Sequence, residues 1–235
     1  MGQERLEERV RPRSLDQVVG QSEAIRDLVQ WRAPDGTWGG RALLFTGPSG
    51  SGKTTMARIV AAATAKDPMC RWELNAGRVK IETLEEIAHS VRHRNLYGGY
   101  AVVLNEVHGL RTDIRRELLT MLDAGSEDGL KPWVVWCLTT TQANFQRSFF
   151  DSTKKKGEVE TDDPLAFLSR CDKIVLRDPR TCELEHAIHL RNVAREEGKD
   201  GRELDAYMSL LRRNEWNIRA CLSEIEAGKM RREAA

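Results

Sequence analysis

Short, wholly apolar runs recur along the chain and are separated by stretches with helical periodicity. Arg41-Ala42-Leu43-Leu44-Phe45-Thr46, Tyr100 to Asn105 and Trp133 to Leu138 are the clearest runs; Arg71-Trp72-Glu73-Leu74 and Lys173 to Leu176, which carry charges, are further strand candidates. Runs of this length without polar alternation predict strands buried on both faces. Between them, apolar positions at helical intervals predict helices over about 15–31, Thr54 to Ala65, 82–94 and 111–124. Strands alternating with helices imply a parallel sheet with helices on its faces, here of five strands. Beyond Pro179 the strand signal stops. Residues 181–235 hold helical periodicity alone, interrupted near Gly198–Gly201 and Asn214. The expected organisation is an α/β domain over 1–178 and a small all-helical domain over 179–235. Within the first, Gln146 to Pro164 carries Lys154-Lys155-Lys156-Gly157 and then an acidic run, and is expected as a surface insertion at about 146–164.

Composition narrows the class but says little about partners. The chain has 235 residues, 40% of them hydrophobic, with net charge +1, so overall charge does not announce nucleic acid. The apolar runs are too short to span a bilayer, so no membrane partner is expected. The charged N-terminus, Met1 to Arg13, has no segment suited to a secretory signal. Five cysteines (Cys70, Cys137, Cys171, Cys182, Cys221) are scattered without a C-x-x-C pair, which suits a reducing compartment. A cytoplasmic location is expected.

The strongest chemical signal is Gly47-Pro48-Ser49-Gly50-Ser51-Gly52-Lys53-Thr54, which matches G-x-x-x-x-G-K-[ST] at every required position. Glycines let successive backbone N–H groups turn around phosphate oxygens, and the following helix adds its N-terminal dipole. In such a loop Lys53 reaches the β- and γ-phosphates, the Thr54 hydroxyl ligates Mg²⁺, and Thr55 follows on the same turn. A glycine-rich turn that binds nothing is the plain alternative. Its place between a buried strand and a helix argues for ATP instead.

Val102-Val103-Leu104-Asn105-Glu106 resembles a Walker B element, an apolar strand ending in an acidic pair. The usual pair is Asp-Glu. Glu106 is present to polarise an attacking water, while Asn105 offers the metal an amide oxygen in place of a charge. Three readings stay open for Asn105: tolerated with weaker Mg²⁺ binding, the mark of a slow or inactive ATPase, or an introduced change that traps nucleotide. Some retained hydrolysis is the expectation. If a missing charge is the limit, Asn105→Asp raises turnover.

With these motifs in hand, the chain resembles AAA+ ATPases of the clamp-loader clade over about residues 9–225, and branch-migration motors of the RuvB type more distantly. Val10-Arg11-Pro12 with Val18-Val19-Gly20-Gln21 resembles the N-terminal box that wraps the adenine ring. Gly98 to Leu110, with Glu117 to Leu122, resembles the Walker B region of bacterial clamp-loader motor subunits. Thr140 matches the sensor 1 position, and Ser169-Arg170-Cys171 the motif whose arginine enters a neighbour's ATP site. Trp216-Asn217-Ile218-Arg219 matches the sensor 2 helix. The resemblance implies Glu106, Lys53, Thr140, Arg170 (in trans) and Arg219 as the catalytic set. It also implies self-association, or association with related AAA+ subunits, in a ring or spiral. An arginine supplied across an interface stabilises charge building on the γ-phosphate, worth on the order of 10³–10⁵ in rate elsewhere. Taken singly, an Arg-Cys pair, a threonine triplet or a helical arginine is ordinarily structural; order and spacing carry the resemblance.

The resemblance further implies DNA, and a sliding clamp, as partners. Arg111, Arg115 and Arg116 follow the Walker B region and are candidates for phosphate contacts, against the plain reading of a solvated helix face. The clade's collar domain is not expected within 235 residues, nor the winged-helix domain of RuvB-type motors; a stripped-down relative fits the pattern. A nucleotide-binding regulatory or scaffolding subunit with little turnover is the first alternative, favoured by Asn105. A protein remodeller is the second, and Asn75-Ala76-Gly77-Arg78-Val79-Lys80 lacks the aromatic pore loop it needs.

Overall fold

A computed structural model describes residues 4–96, 98–124, 129–141 and 169–231. The insertion expected at about 146–164 lies outside the described residues. Five parallel strands form one sheet: β1 (Arg41–Thr46), β2 (Arg71–Asn75), β3 (Tyr100–Asn105), β4 (Val134–Thr140) and β5 (Asp172–Val175), in the order β2-β3-β4-β1-β5. The apolar runs form strands because a central strand here has helices over both faces. β4 is buried along its whole length between β3 and β1.

Side chains alternate across the sheet, so each of the central strands β1, β3 and β4 feeds two cores. On one face Leu44, Val102, Leu104, Trp136 and Leu138 pack with α4 (Ile81–Val91) and α5 (Thr112–Leu122). On the other, Leu43, Phe45, Val103 and Cys137 pack with α2 (Ser22–Gln30) and α3 (Lys53–Thr64). Three layers result, with the C-terminal strand ends aligned at one edge, where open parallel sheets bind ligands.

Three C-terminal helices, α6 (Glu183–Glu196), α7 (Leu204–Arg213) and α8 (Ile218–Glu226), share a third apolar cluster. The breaks fall where the sequence placed them, before Leu204 and at Asn214–Asn217. Two residues from the other end of the chain join this cluster, Leu6 as a buried member and Val10 packed against it. Leu6, on the short α1 (Leu6–Arg9), is 0% exposed and packs among the C-terminal helices rather than on the sheet. Glu226 accepts the Leu6 backbone N–H at 3.0 Å.

The helix expected over 15–31 is instead two pieces. A 3₁₀ turn at Leu15–Gln17 is followed by extended residues and Gly20 at φ +75°, and α2 starts only at Ser22. A β-carbon at Gly20 would lie 3.0 Å from that of Cys182, so a glycine permits both the left-handed turn and the close approach. Among the described residues, no helix is long and apolar enough to cross a membrane.

Candidate functional site

The loop after β1 turns through Gly50 (φ +80°) and Gly52 (φ +96°) and enters α3 at Lys53. Left-handed backbone at these points is open to glycine at little cost and aims the α3 N-terminus at the space above the sheet. Lys53 is 6% exposed. Its ammonium donates to the carbonyls of Gly47 at 2.9 Å and Pro48 at 2.5 Å. Burial lowers its pKa from the ordinary lysine value, and Glu106 opposes that shift.

A cavity of about 360 Å³ opens over this loop. Its wall includes Ser49, Gly50, Ser51, Gly52, Lys53, Thr54 and Thr55 from the loop and α3, Glu106 from the end of β3, and Arg219 from α8. Val10, Arg11, Pro12, Val18 and Val19 close it on the N-terminal side. Residues far apart in sequence and singled out there thus share one wall. Gly47 and Pro48 contribute through the carbonyls that hold Lys53, rather than as lining.

β3 delivers the acidic end of the site. Glu106 sits in the left-handed region (φ 59°, ψ 49°), a conformation costing a non-glycine residue on the order of 1 kcal/mol. Its backbone N–H donates to the Thr139 hydroxyl at 3.3 Å, and its carboxylate accepts from Thr141 at 3.3 Å. His108 Nδ1 lies 3.4 Å from the same carboxylate and 3.2 Å from the Thr140 hydroxyl. Of the run Thr139 to Thr141, Thr141 is on the cavity wall, whereas Thr140 is 0% exposed and stands behind His108. One residue of register along the strand decides which hydroxyl faces the cavity.

Asn105 is held from three sides. Its Oδ1 accepts from Thr54 at 3.0 Å and from Thr139 at 3.1 Å, and its Nδ2 donates to Glu73 at 3.1 Å. Two neutral oxygens, of Thr54 and Asn105, are thereby set side by side at the N-terminus of α3. Hard oxygen donors in small number suit Mg²⁺, which takes one or two protein ligands and fills its shell with water and phosphate. The donor set fits that ion.

Gln21 joins the phosphate loop to the segment leading into the C-terminal helices. Almost fully buried, it donates to the carbonyls of Ser51 at 3.1 Å and Arg177 at 3.2 Å, and accepts from the Arg177 N–H at 2.9 Å. Across the cavity, Arg219 is 67% exposed, with its Nε 3.7 Å from a Glu7 carboxylate oxygen.

Arg170 is away from the wall. It donates to Asp123, just past α5, at 3.3 Å. At the start of α5 the three arginines, Arg111 just before the helix and Arg115 and Arg116 on it, separate. Arg111 pairs with Asp113 and Arg116 is exposed, but Arg115 is 3% exposed and donates to the Leu110 carbonyl at 3.2 Å. The expectation that Arg115 shares a phosphate-facing surface with Arg111 is therefore corrected. Its stem follows Ile114 and Leu118 inward, as long arginine side chains can.

Several wall residues escaped the sequence reading. His186 and His189 project from α6 into the cavity wall, and burial lowers the pKa of each. Their i, i+3 spacing places them on one helix face, but nothing local says which face meets the loop. Glu7, Gln17 and Leu222 also line the cavity.

A family model described as "ATPase family associated with various cellular activities (AAA)" matches residues 43–176. The chain is 29% identical over 173 residues to the replication factor C large subunit of Methanosarcina mazei, covering 65% of this chain and 28% of that protein. It is 36% identical over 124 residues to the replication factor C large subunit of Pyrobaculum arsenaticum, covering 44% and 29%. The chain thus spans under a third of the length of these curated relatives. Among solved structures, the Thermotoga maritima RuvB Holliday junction branch migration motor superposes with a TM-score of 0.66 at 19% identity, covering 92% of this chain and 64% of that one. This bears out the fold, and the relatives agree with the clamp-loader resemblance. Since the matched segment is more than half of the sequence, the chain belongs to the AAA family of ATPases.

Proposed function

We propose that this chain is an oligomeric AAA+ ATPase that couples ATP binding and hydrolysis to conformational change on DNA, in the manner of a clamp loader, in replication or repair. The observation that carries this reading is the cavity in which the phosphate loop, the N-terminal box and the C-terminal helices meet. The names of the relatives, replication factor C and a Holliday junction motor, support a DNA context.

On this reading the triphosphate lies along the amides of residues 47–54, and Val10, Val18 and Val19 pack on the purine. Lys53 exchanges its two loop carbonyls for phosphate oxygens. Thr54 and Asn105 hold the metal side; Mg²⁺, when bound, neutralises charge shared by the β- and γ-phosphates. Glu106 accepts the proton of the attacking water, with Thr141, and Thr140 through His108, fixing its carboxylate. Arg219 reaches from α8 toward the γ-phosphate and couples its presence to the angle between the domains at 1–178 and 179–235. The two apolar clusters on the sheet and the separate one among the C-terminal helices support that division, although Leu6 and Val10, within 1–178, pack with the C-terminal cluster. Arg170, off the wall, completes a neighbour's site rather than its own. Arg111 and Arg116 are the exposed candidates for DNA phosphates.

The test is binding of a fluorescent, non-hydrolysable ATP analogue, with light scattering for assembly and primed DNA added across a salt series. Saturable binding lost in Lys53→Ala, ATP-dependent growth in mass, and DNA binding that weakens with salt are the expected results. Absence of nucleotide binding in the unaltered chain sinks the reading.

A second reading, a nucleotide-binding scaffold with weak turnover, is favoured by Asn105. Tight binding and assembly without measurable hydrolysis select it. A protein-remodelling role ranks third, because Asn75–Lys80 carries no aromatic side chain.

A further inference from the structure

Glu73 belongs to none of the motifs above, yet it is in direct contact with the Walker B asparagine. It lies on β2, an edge strand, whose Asn75 pairs in register with Asn105 of β3. Its Oε1 accepts from Asn105 Nδ2 at 3.1 Å, and Arg58 of α3 holds the carboxylate with two bonds, at 2.7 and 2.9 Å. The contact to Glu73 raises the Arg58 pKa, as expected of a paired guanidinium.

A carboxamide has one accepting end and one donating end. Thr54 and Thr139 stand at one side of Asn105 and the Glu73 carboxylate at the other. Glu73 can only accept, so it selects the orientation in which Oδ1 faces Thr54. That orientation matters chemically. With Oδ1 toward it, Thr54 donates its hydroxyl proton to Asn105 and keeps both oxygen lone pairs for a cation. Turned over, the amide would present its N–H groups, the positive end of its dipole, to the same spot.

We propose that Glu73 is a positioning residue for the Mg²⁺ side of the site, holding Asn105 so that a neutral amide works where the family's usual carboxylate would stand. The proposal rests on the ATP reading above. Arg58 fixes the place of the Glu73 carboxylate, and Glu73 acts on Asn105 at short range, by accepting its amide N–H. One consequence runs against intuition. Asn105→Asp places a second carboxylate at hydrogen-bond distance from Glu73, where like charges oppose each other. Restoring the usual acidic residue alone therefore harms the site, and neutralising Glu73 at the same time repairs it.

The experiment compares the unaltered chain with Glu73→Gln, Asn105→Asp and the double variant. The readouts are the Mg²⁺ concentration for half-maximal binding of a fluorescent ATP analogue, the binding left in EDTA, and thermal melting without nucleotide. Each single change is expected to raise the Mg²⁺ requirement about 10-fold, the scale seen when a partner of a metal ligand is removed. The double variant is expected to return to within about 3-fold of the unaltered chain, a non-additive result. EDTA binding and melting should stay close to those of the unaltered chain. The proposal is overturned if Asn105→Asp alone tightens Mg²⁺ use, if Glu73→Gln leaves it unchanged, or if the loss follows melting temperature. If the unaltered chain binds no analogue, the ATP reading fails and takes this proposal with it. Normal analogue binding with unresponsive variants removes the proposal alone.

Discussion

Glu106 and Asn105 are neighbours in sequence but work under different constraints. Glu106 is bent into a left-handed conformation at the end of β3, which turns its carboxylate toward Thr141 and the cavity. Asn105 stays in the strand and faces α3 and β2. A residue that only polarises water should be dispensable for nucleotide binding. Glu106→Gln is accordingly expected to lower ATP hydrolysis by about 10²–10⁴ while analogue affinity holds. Parallel turnover and binding assays check this, and equal loss of both removes Glu106 from the role of base. Lys53, Thr54 and Glu106 could be picked out from spacing alone, because their motifs are continuous. Glu73 could not, since its partner lies 32 residues away and meets it only through strand pairing.

At the level of elements, α1 is the least expected feature. It has four residues, too few to hold a helix in isolation, and its stability must come from packing. Leu6 supplies that by entering the apolar cluster of α6, α7 and α8, while Glu226 caps its N–H. Glu8 accepts from Arg11 at 2.6 Å and lies 3.8 Å from Arg58 on α3, so the same short helix touches the phosphate-loop helix. Leu6→Ala removes a fully buried side chain from a small core, at an expected cost of about 2–5 kcal/mol in urea melts. A loss below about 0.5 kcal/mol would mean that α1 is not held by this cluster. The α5 surface teaches a related lesson. Arg111 and Arg115 are four apart and look equivalent on a helical projection, but the width of the buried stripe takes in Arg115.

For the whole molecule, the junction of α6 with the cavity has a titratable component. Burial lowers the pKa of His186 and His189 below 6.5, so folding prefers both rings neutral. Above pH 6.5 their contribution to stability is constant. As pH falls, the unfolded chain takes up protons first, and this stability is lost until the folded-state pKa is passed. Melting temperature is expected to fall from about pH 6.5 downward, and His186→Phe should flatten that slope. Melts over about pH 5 to 8 check it; an unchanged slope in the variant assigns acid sensitivity elsewhere. Because both histidines line the cavity, bound nucleotide should reduce the acid sensitivity as well.

The sequence alone determined the local and continuous features: five strands, of which β1, β3 and β4 are the buried ones, the helices between them, the helical C-terminal region and the phosphate loop. Each of these depends on periodicity, or on glycines and a lysine at fixed offsets, which are properties of neighbours along the chain. Tertiary structure alone decided the strand order β2-β3-β4-β1-β5, the docking of Leu6 on the C-terminal helices, the choice of Thr141 over Thr140 for the cavity wall, and the pairing of Glu73 with Asn105. These are contacts between residues remote in sequence, whose free energy exists only once the sheet has formed.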